Sequence, residues 1–302
     1  MPRVTSALRL VPAPSGGRRA GAIVRSGSID PVARAAPGEP AITTHHRPLA
    51  VVTGASSGIG TEFARRFAAR GHDLVLVARR EDRLRALAAD LEADHGVTAT
   101  VLPVDLADPA GPQAVLDGLR SRGLYADALV NSAGFGTYGP FAEEDPARVA
   151  EELQVNVVAL TLLSRLLLPD LAASRAGVLV NVASTAAYQP GPSFAVYAAS
   201  KAYVRSLTEA LWQEHRGTRL RVLALAPGPA ETEFFDVAGS DRFRIGQVLT
   251  VPEIVDVAFA ALDRRDPPPS VVAGRRNALT AAVAQAAPRR LTLRVAGRLA
   301  GG

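Results

Sequence analysis

Between Leu49 and Val272 short apolar runs alternate with segments of helical period, and this alternation restricts the possible folds more than any other feature of the sequence. The run Leu49 to Val52 enters a glycine-rich turn, after which Phe63, Ala64, Phe67 and Ala68 recur at helical spacing, so residues 49–70 read as strand, turn and helix. Gly71 closes that helix, and Leu74 to Ala78 is a near-continuous apolar run of the kind found in parallel strands covered on both faces. The pattern predicts further helices near 81–94, 112–121, 146–172, 195–215 and 252–264, and further strands near 98–104, 128–131, 178–182, 220–225 and 270–272. Parallel strands need crossover helices, so the chain reads as an α/β protein with a doubly wound sheet and ligands at the carboxyl ends of its strands.

A chain of 302 residues suits one enzyme-sized domain with additions at its ends. The expected division is a disordered Arg-rich leader over 1–47, a single domain over 48–272, and a basic amphipathic extension over 273–302. The leader is also compatible with a transit-like peptide or a misplaced start at Met1. Residues 1–48 carry net charge +5 and residues 273–302 carry six Arg and no acid, which leaves the body acidic within the overall +5. That distribution argues against a nucleic-acid groove in the body. With no cysteine and five scattered histidines, neither a disulfide framework nor a metal site is expected, so redox work needs an organic cofactor. Arg165, Pro169, Asp170, Ser174 and Arg175 interrupt the most apolar stretch, so no spanning helix is expected and the cytoplasm is the expected location.

The first turn reads Thr53-Gly54-Ala55-Ser56-Ser57-Gly58-Ile59-Gly60. Glycines between a strand and a helix let the backbone approach a pyrophosphate, whose charge the helix N-terminus stabilises, and Ser56 and Ser57 add hydroxyl donors. No Gly-Lys-Ser/Thr follows, so the turn is not a P-loop. Arg79 and Arg80 stand at the end of the second strand, where binders of NAD place an acid, and a guanidinium there can pair with a 2'-phosphate. NADP(H) is therefore preferred over NAD(H), with Arg79 the chosen contact. The alternatives are that both arginines are surface residues, or that Glu81 or Asp82 serves a ribose hydroxyl.

Tyr197 and Lys201 lie four apart in a helical segment and so share a face. A nearby ammonium favours the phenolate, which would bring the tyrosine into the range of proton exchange. Lys201 is the only lysine, every other strongly basic side chain being arginine, and a compact ammonium is not replaceable by a guanidinium fork. Ser184, just past the strand 178–182, can bind a substrate oxygen, although taken alone it reads as a turn or capping serine.

In order along residues 48–250, these motifs resemble the short-chain dehydrogenase/reductase family, in particular the bacterial subgroup similar to 3-ketoacyl and steroid reductases. Thr53-Gly54, Gly58 and Gly60 match its cofactor loop, Asp105 the residue near adenine, and Asn131-Ser132-Ala133-Gly134 its Asn-Asn-Ala-Gly motif with serine in second place. Asn156, Ser184, Tyr197 and Lys201 fall at family spacing, and Pro227-Gly228 with Thr232 resembles the loop that contacts the nicotinamide amide, with Ala230 in place of the usual valine. The resemblance implies a seven-stranded Rossmann-type sheet of order 3-2-1-4-5-6-7. It also implies Tyr197 as acid/base, Lys201 on the ribose, Ser184 on the carbonyl, Asn156 in a water relay, and a homodimer or homotetramer.

Phe135, Tyr138, Phe141, Tyr188, Pro190 to Phe194 and the segment 234–248 are expected around a pocket for a small hydrophobic carbonyl or alcohol. Leu279, Val283, Leu291, Leu293, Val295 and Leu299, set among arginines, give the C-terminal extension a face for subunit packing or for peripheral contact with a membrane, packing being favoured. A silent cofactor-binding regulator of the same fold is the alternative function.

Overall fold

The computed structural model describes residues 47–234 and 246–301; the expected leader falls, but for Arg47, outside them. Strands β1 (Leu49–Thr53), β2 (Asp73–Ala78), β3 (Ala99–Pro103), β4 (Ala128–Asn131), β5 (Val178–Val182), β6 (Arg221–Ala226) and β7 (Ser270–Val272) form one sheet in the order β3-β2-β1-β4-β5-β6-β7. Every pairing is parallel. This is the expected fold, with strand ends displaced by a residue or so from their predicted positions.

Side-chain alternation along each strand divides the core into two layers. Ala50, Val52, Leu74, Leu76, Val130 and Val180 point to the side covered by α1 (Gly58–Ala69) and α2 (Glu81–His95), where Phe63, Phe67, Leu84 and Leu91 meet them. Helix α7 (Val251–Leu262) covers the same side with Ile254 and Phe259. It starts at a capping box in which Thr250 Oγ1 accepts from the Glu253 N–H and the Glu253 carboxylate accepts from the Thr250 N–H. Val51, Val75, Val77, Leu129 and Leu179 point the other way, onto Val115 and Leu119 of α3 (Gly111–Arg120) and onto a long helical run.

That run, Pro146–Ala173, comprises α4 (Pro146–Leu153), a π-helical turn (Gln154–Ala159) and α5 (Leu160–Ala173). Its length and mean hydropathy of 1.6 would suit a membrane span despite the interruptions, but Leu163, Leu167 and Leu171 are spent on the sheet. Asp170, one of the interruptions, accepts two bonds from Arg120 at 2.8 and 2.9 Å and one from the Ala126 N–H. The widened turn carries Asn156, and the sequence pattern gave no sign of it; such turns occur mostly at functional sites.

Helix α6 (Ala195–Glu214) packs beside the run, and α8 (Arg275–Ala286) and α9 (Arg289–Gly301) follow β7. The C-terminal helices are joined to the body of the chain, since Ala281 clusters with Tyr188 and Val204 and the Asn277 side chain accepts from the Gln247 N–H and donates to the Gln247 and Ala273 carbonyls. Leu179, the second residue of β5, has no exposed surface. Leu179→Ala is expected to cost about 2–5 kcal/mol in equilibrium denaturation, and a loss below about 1 kcal/mol would mean that the second layer is not packed as described.

Candidate active site

One register row crosses the carboxyl edge of the sheet: Val77, Thr53, Asn131, Asn181 and Ala224 are paired in turn across β2, β1, β4, β5 and β6. Beyond it, the loops leaving β1, β2, β4, β5 and β6 line a cleft of about 460 Å³. Thr53 ties two of them together, its Oγ1 accepting from the N–H groups of Ser132 at 3.0 Å and Ala133 at 3.1 Å.

At one end the loop Gly54 to Gly60 folds tightly. Gly54 has φ +66°, and a Cβ on Gly60 would collide with the Gly54 carbonyl, so the start of α1 rests directly on the loop backbone. Ser57, the N-cap of α1, makes no side-chain bond to the helix, which leaves the first-turn N–H groups for an anion. Gly54, Ser56, Ser57, Gly58, Ile59, Ala133, Gly134, Pro227, Gly228 and Thr232 line the cleft as predicted, while Gly60 acts behind it as a spacer.

Arg79 and Arg80 both line this end. Arg79 lies 3.9 Å from Asp105 and 3.6 Å from Glu151. Arg80, named beside Arg79 in the sequence but not chosen as the contact, donates to Ser56 Oγ at 3.1 and 3.2 Å, to Ser57 Oγ at 2.9 Å and to Glu233 at 2.8 Å. Glu233 also accepts from Arg83, and the two guanidinium hydrogen bonds hold its carboxyl below the usual range. Glu81, the alternative ribose ligand, is paired with Arg85.

At the other end Tyr197 and Lys201, from α6, meet Ser184 at the end of β5. Ser184 Oγ accepts from the Ala186 N–H at 3.1 Å, capping a short 3-10 turn, and its hydroxyl is near enough to that of Tyr197 to act on its pKa. Tyr197 is stacked on Phe194 with ring centroids 4.3 Å apart and tilted against Phe234 at 5.2 Å. Burial pushes the Tyr197 phenol well above its ordinary value, with Glu152 adding to the rise and the Ser184 hydroxyl opposing it. The lowered phenol expected from the sequence is met by the opposite direction, because loss of water dominates.

The Lys201 ammonium donates to the Val182 carbonyl at 2.8 Å, and its pKa is pushed down to about 8 by burial. Asn156 stands behind the cleft, its Nδ2 donating to the Phe135 carbonyl at 2.7 Å and to Ser200 at 3.2 Å while its Oδ1 accepts from the Phe135 N–H at 3.1 Å. A Cβ on Gly134 would fall 2.9 Å from Asn156 Oδ1 and 3.3 Å from Lys201 Nζ, so the strand-end loop can pass only as glycine.

Three sequence expectations meet a different geometry. Asn131 does not line the cleft: it is buried below it, donating to Ser164 and Asn181 at 3.0 and 2.9 Å, because its position in β4 turns it onto neighbouring elements. Phe141 is mostly exposed, and neither it nor Tyr138 lines the cleft, whereas Phe135, Tyr188, Pro190 and Phe194 do. Of the segment 234–248, Phe234 and Gly246 line the cleft, and 235–245 lie outside the described residues. The C-terminal extension, read as a surface for other molecules, supplies Thr280, Ala281, Ala284 and Ala296 to the cleft wall, while Leu279, Val283 and Leu291 are exposed on its outside. Ala281 and Ala284 lie three apart on one face of α8, the only sequence signal that could have marked them.

Residues 48–242 match the family model described as short chain dehydrogenase. Sulfoacetaldehyde reductase 2 of Chromohalobacter salexigens is 36% identical over 220 residues, 70% of this chain and 86% of that protein. A short-chain dehydrogenase from Sphingobium yanoikuyae, solved in complex with NADPH, superposes with TM-score 0.71 at 36% identity over 82% of this chain and 95% of that one. A short chain dehydrogenase/reductase from Burkholderia phymatum, solved in complex with NAD, gives TM-score 0.71 at 26% identity over 82% and 95% of the two chains. The protein belongs to the short-chain dehydrogenase family: it is an oxidoreductase acting between alcohol and carbonyl with a nicotinamide dinucleotide.

Gly60→Ala is expected to abolish dinucleotide binding in a fluorescence titration and to cost about 1–3 kcal/mol of stability, since backbone must yield to backbone. The Lys201 value gives a second test. Its folded pKa, about 8, lies below the ordinary 10.5, so the unfolded chain binds more protons between these values and Lys201 makes stability rise with pH across that window. The stability of Lys201→Met relative to wild type is expected to fall as pH is raised through that window in denaturant titrations; a constant difference would contradict a buried, depressed ammonium.

Proposed function

We propose that this oxidoreductase is an NADP(H)-dependent reductase of hydrophobic ketones or aldehydes in which Tyr197 supplies the proton. The observation that carries the reading is a cleft with two unlike ends: Tyr197, Ser184 and Lys201 together at one, and Arg79 and Arg80 beside the Ser56-Ser57 loop at the other. The residues fit the dinucleotide. The uncapped start of α1 suits its pyrophosphate, Arg80 and Arg79 a 2'-phosphate, Asp105 the adenine side, and Lys201 the ribose next to the nicotinamide. Pro227, Gly228 and Thr232 border the place of the amide, and Asn131 supports the site from beneath.

When bound, the reduced nicotinamide supplies hydride to the carbonyl carbon. Tyr197 and Ser184 then hold the carbonyl oxygen between two hydroxyls, and Tyr197 transfers its proton to that oxygen as charge develops there. Its raised pKa keeps it protonated at neutral pH and suits it to act as the acid of reduction. Lys201, a cation below about pH 8, stabilises the phenolate left behind. Asn156 fixes both backbone groups of Phe135 and so the loop that carries Gly134 past Lys201, the place at which a water relay to the ammonium would begin.

Substrate class follows from the walls. The charged lining residues Arg79, Asp105, Arg148 and Glu151 are linked through Arg79 and Glu151, and Arg80 and Glu233 are linked to the serine loop. Around Tyr197 the described lining includes Tyr188, Pro190, Phe194, Phe234, Ala281 and Ala284, beside the polar Ser184, Gln189 and Thr280. An uncharged, bulky substrate suits it better than the sulfonate named for the Chromohalobacter relative. A homodimer or homotetramer fits the exposed Leu153, Val158, Leu162 and Tyr203 on the α4–α6 face. The domain is proposed to span residues 48–272 together with the two C-terminal helices, in the cytoplasm.

NADPH oxidation with a panel of hydrophobic ketones and aldehydes is the test. Tyr197→Phe is expected to lower kcat by about 10²–10⁴ with NADPH affinity nearly unchanged. Arg79→Ala combined with Arg80→Ala should raise KM for NADPH about tenfold or more while leaving that for NADH near wild type. Equal use of the two cofactors by wild type would sink the NADP(H) assignment, and full activity in Tyr197→Phe would sink the proton assignment.

A further inference from the structure

Glu152, in the last turn of α4, is wholly buried and takes no part in the proton and hydride movements above. Its Oε2 accepts from the Thr137 N–H at 3.0 Å and from the Thr137 hydroxyl at 2.8 Å. The same hydroxyl lies 3.0 Å from Oε2 of Glu144. One hydroxyl hydrogen can serve only one of the two carboxyl groups, so the second contact is favourable only when that carboxyl is protonated and donates in return. The Oε1 atoms of Glu144 and Glu152 are both buried with no hydrogen-bond partner, and for Glu152 this adds to the cost of ionisation. The trio of Glu144, Thr137 and Glu152 is built to hold one proton.

From α6, Tyr197 and Lys201 pack on the loop that leads to Thr137: a Cβ on Gly136 would fall 2.9 Å from the Tyr197 ring, and one on Gly134 3.3 Å from Lys201 Nζ. Glu152 is the charge that favours the Lys201 ammonium against its burial, and the same charge disfavours a Tyr197 phenolate. Arg148, one turn earlier on α4, is engaged by Glu151 and by the ring of Phe135, 3.9 Å away. Burial raises Glu152 to about 7; the Thr137 bonds oppose that rise, Glu144 adds to it and Lys201 opposes it. The carboxyl and the ammonium therefore titrate close together, near neutrality.

We propose that Glu152 is a positioning residue whose ionisation sets the charge of Lys201, and through it the proton state of the Tyr197 site, while Thr137 and Glu144 fix where that ionisation falls. The assignment rests on the proposed roles of Tyr197 and Lys201, but the coupling is measurable without turnover. Because the chain contains a single lysine, protein grown on 13C,15N-lysine reports Lys201 alone by NMR. Glu152→Gln is expected to lower the Lys201 midpoint by about one unit. Glu144→Gln removes the neighbouring like charge and should let Glu152 ionise at lower pH, moving the early step of the Lys201 titration with it. Should Glu152→Gln fail to fold, Thr137→Val, which removes a donor to the carboxylate, is expected to move that step upward.

In kinetics, kcat/KM for reduction should inflect where Glu152 titrates, and the inflection should vanish in Glu152→Gln. A Lys201 midpoint unchanged in the variants, or a uniform loss of rate with the wild-type pH profile, overturns the proposal and leaves Glu152 a structural residue. A shifted Lys201 midpoint in a protein that turns over no carbonyl keeps the coupling and sinks the reaction instead.

Discussion

Parallel pairing of β4 with both β1 and β5 is the constraint on which the site depends. It sets Thr53, Asn131 and Asn181 level across three strands, so the loops that follow begin at one height. These three residues are polar and tied sideways: Thr53 accepts from Ser132 and Ala133, Asn131 donates to Asn181, and Asn181 donates to Thr208 of α6 at 3.0 Å. These bonds lock the glycine loop, the Ala133-Gly134 loop and helix α6 to the sheet. The distances among Ser184, Tyr197 and Lys201 are consequences of that locking.

Burial then does two opposite things at the Tyr197 end. It protects a proton on the phenol and it weakens the hold of Lys201 on its own proton, so the two groups that must cooperate are driven apart in pKa. Glu152 lies within reach of both charges and shares their low-dielectric surroundings, where a charge acts more strongly than at a surface. At the far end the side chains are half exposed, and the ion pairs of Arg79, Arg80 and Arg83 are of the kind that salt screens and that a phosphate can replace.

The C-terminal helices change the meaning of the basic tail. Their charge lies on the outside, where Arg275, Arg276, Arg289, Arg290, Arg294 and Arg298 carry it, while small residues face inward and close one wall of the cleft. Alanine at 281, 284 and 296 lines that wall, so the end of the chain that looked least enzymatic is part of the cleft.

The sequence by itself determined the parallel, doubly wound sheet, because apolar runs separated by helical segments leave right-handed crossovers as the workable solution, while the order of the strands followed only from the family resemblance. It also determined the glycine loop and the pairing of Tyr197 with Lys201, which are local in the chain and follow from spacing along one turn or one helix face. Only the tertiary structure decided that Arg80 rather than Arg79 lies on Ser56 and Ser57, that Asn131 points below the cleft, and that the charge of Glu152 acts on Lys201. Each depends on side chains about 20 or more residues apart meeting across the strand ends, and on how much water their packing removes, neither of which is encoded in the spacing of neighbours.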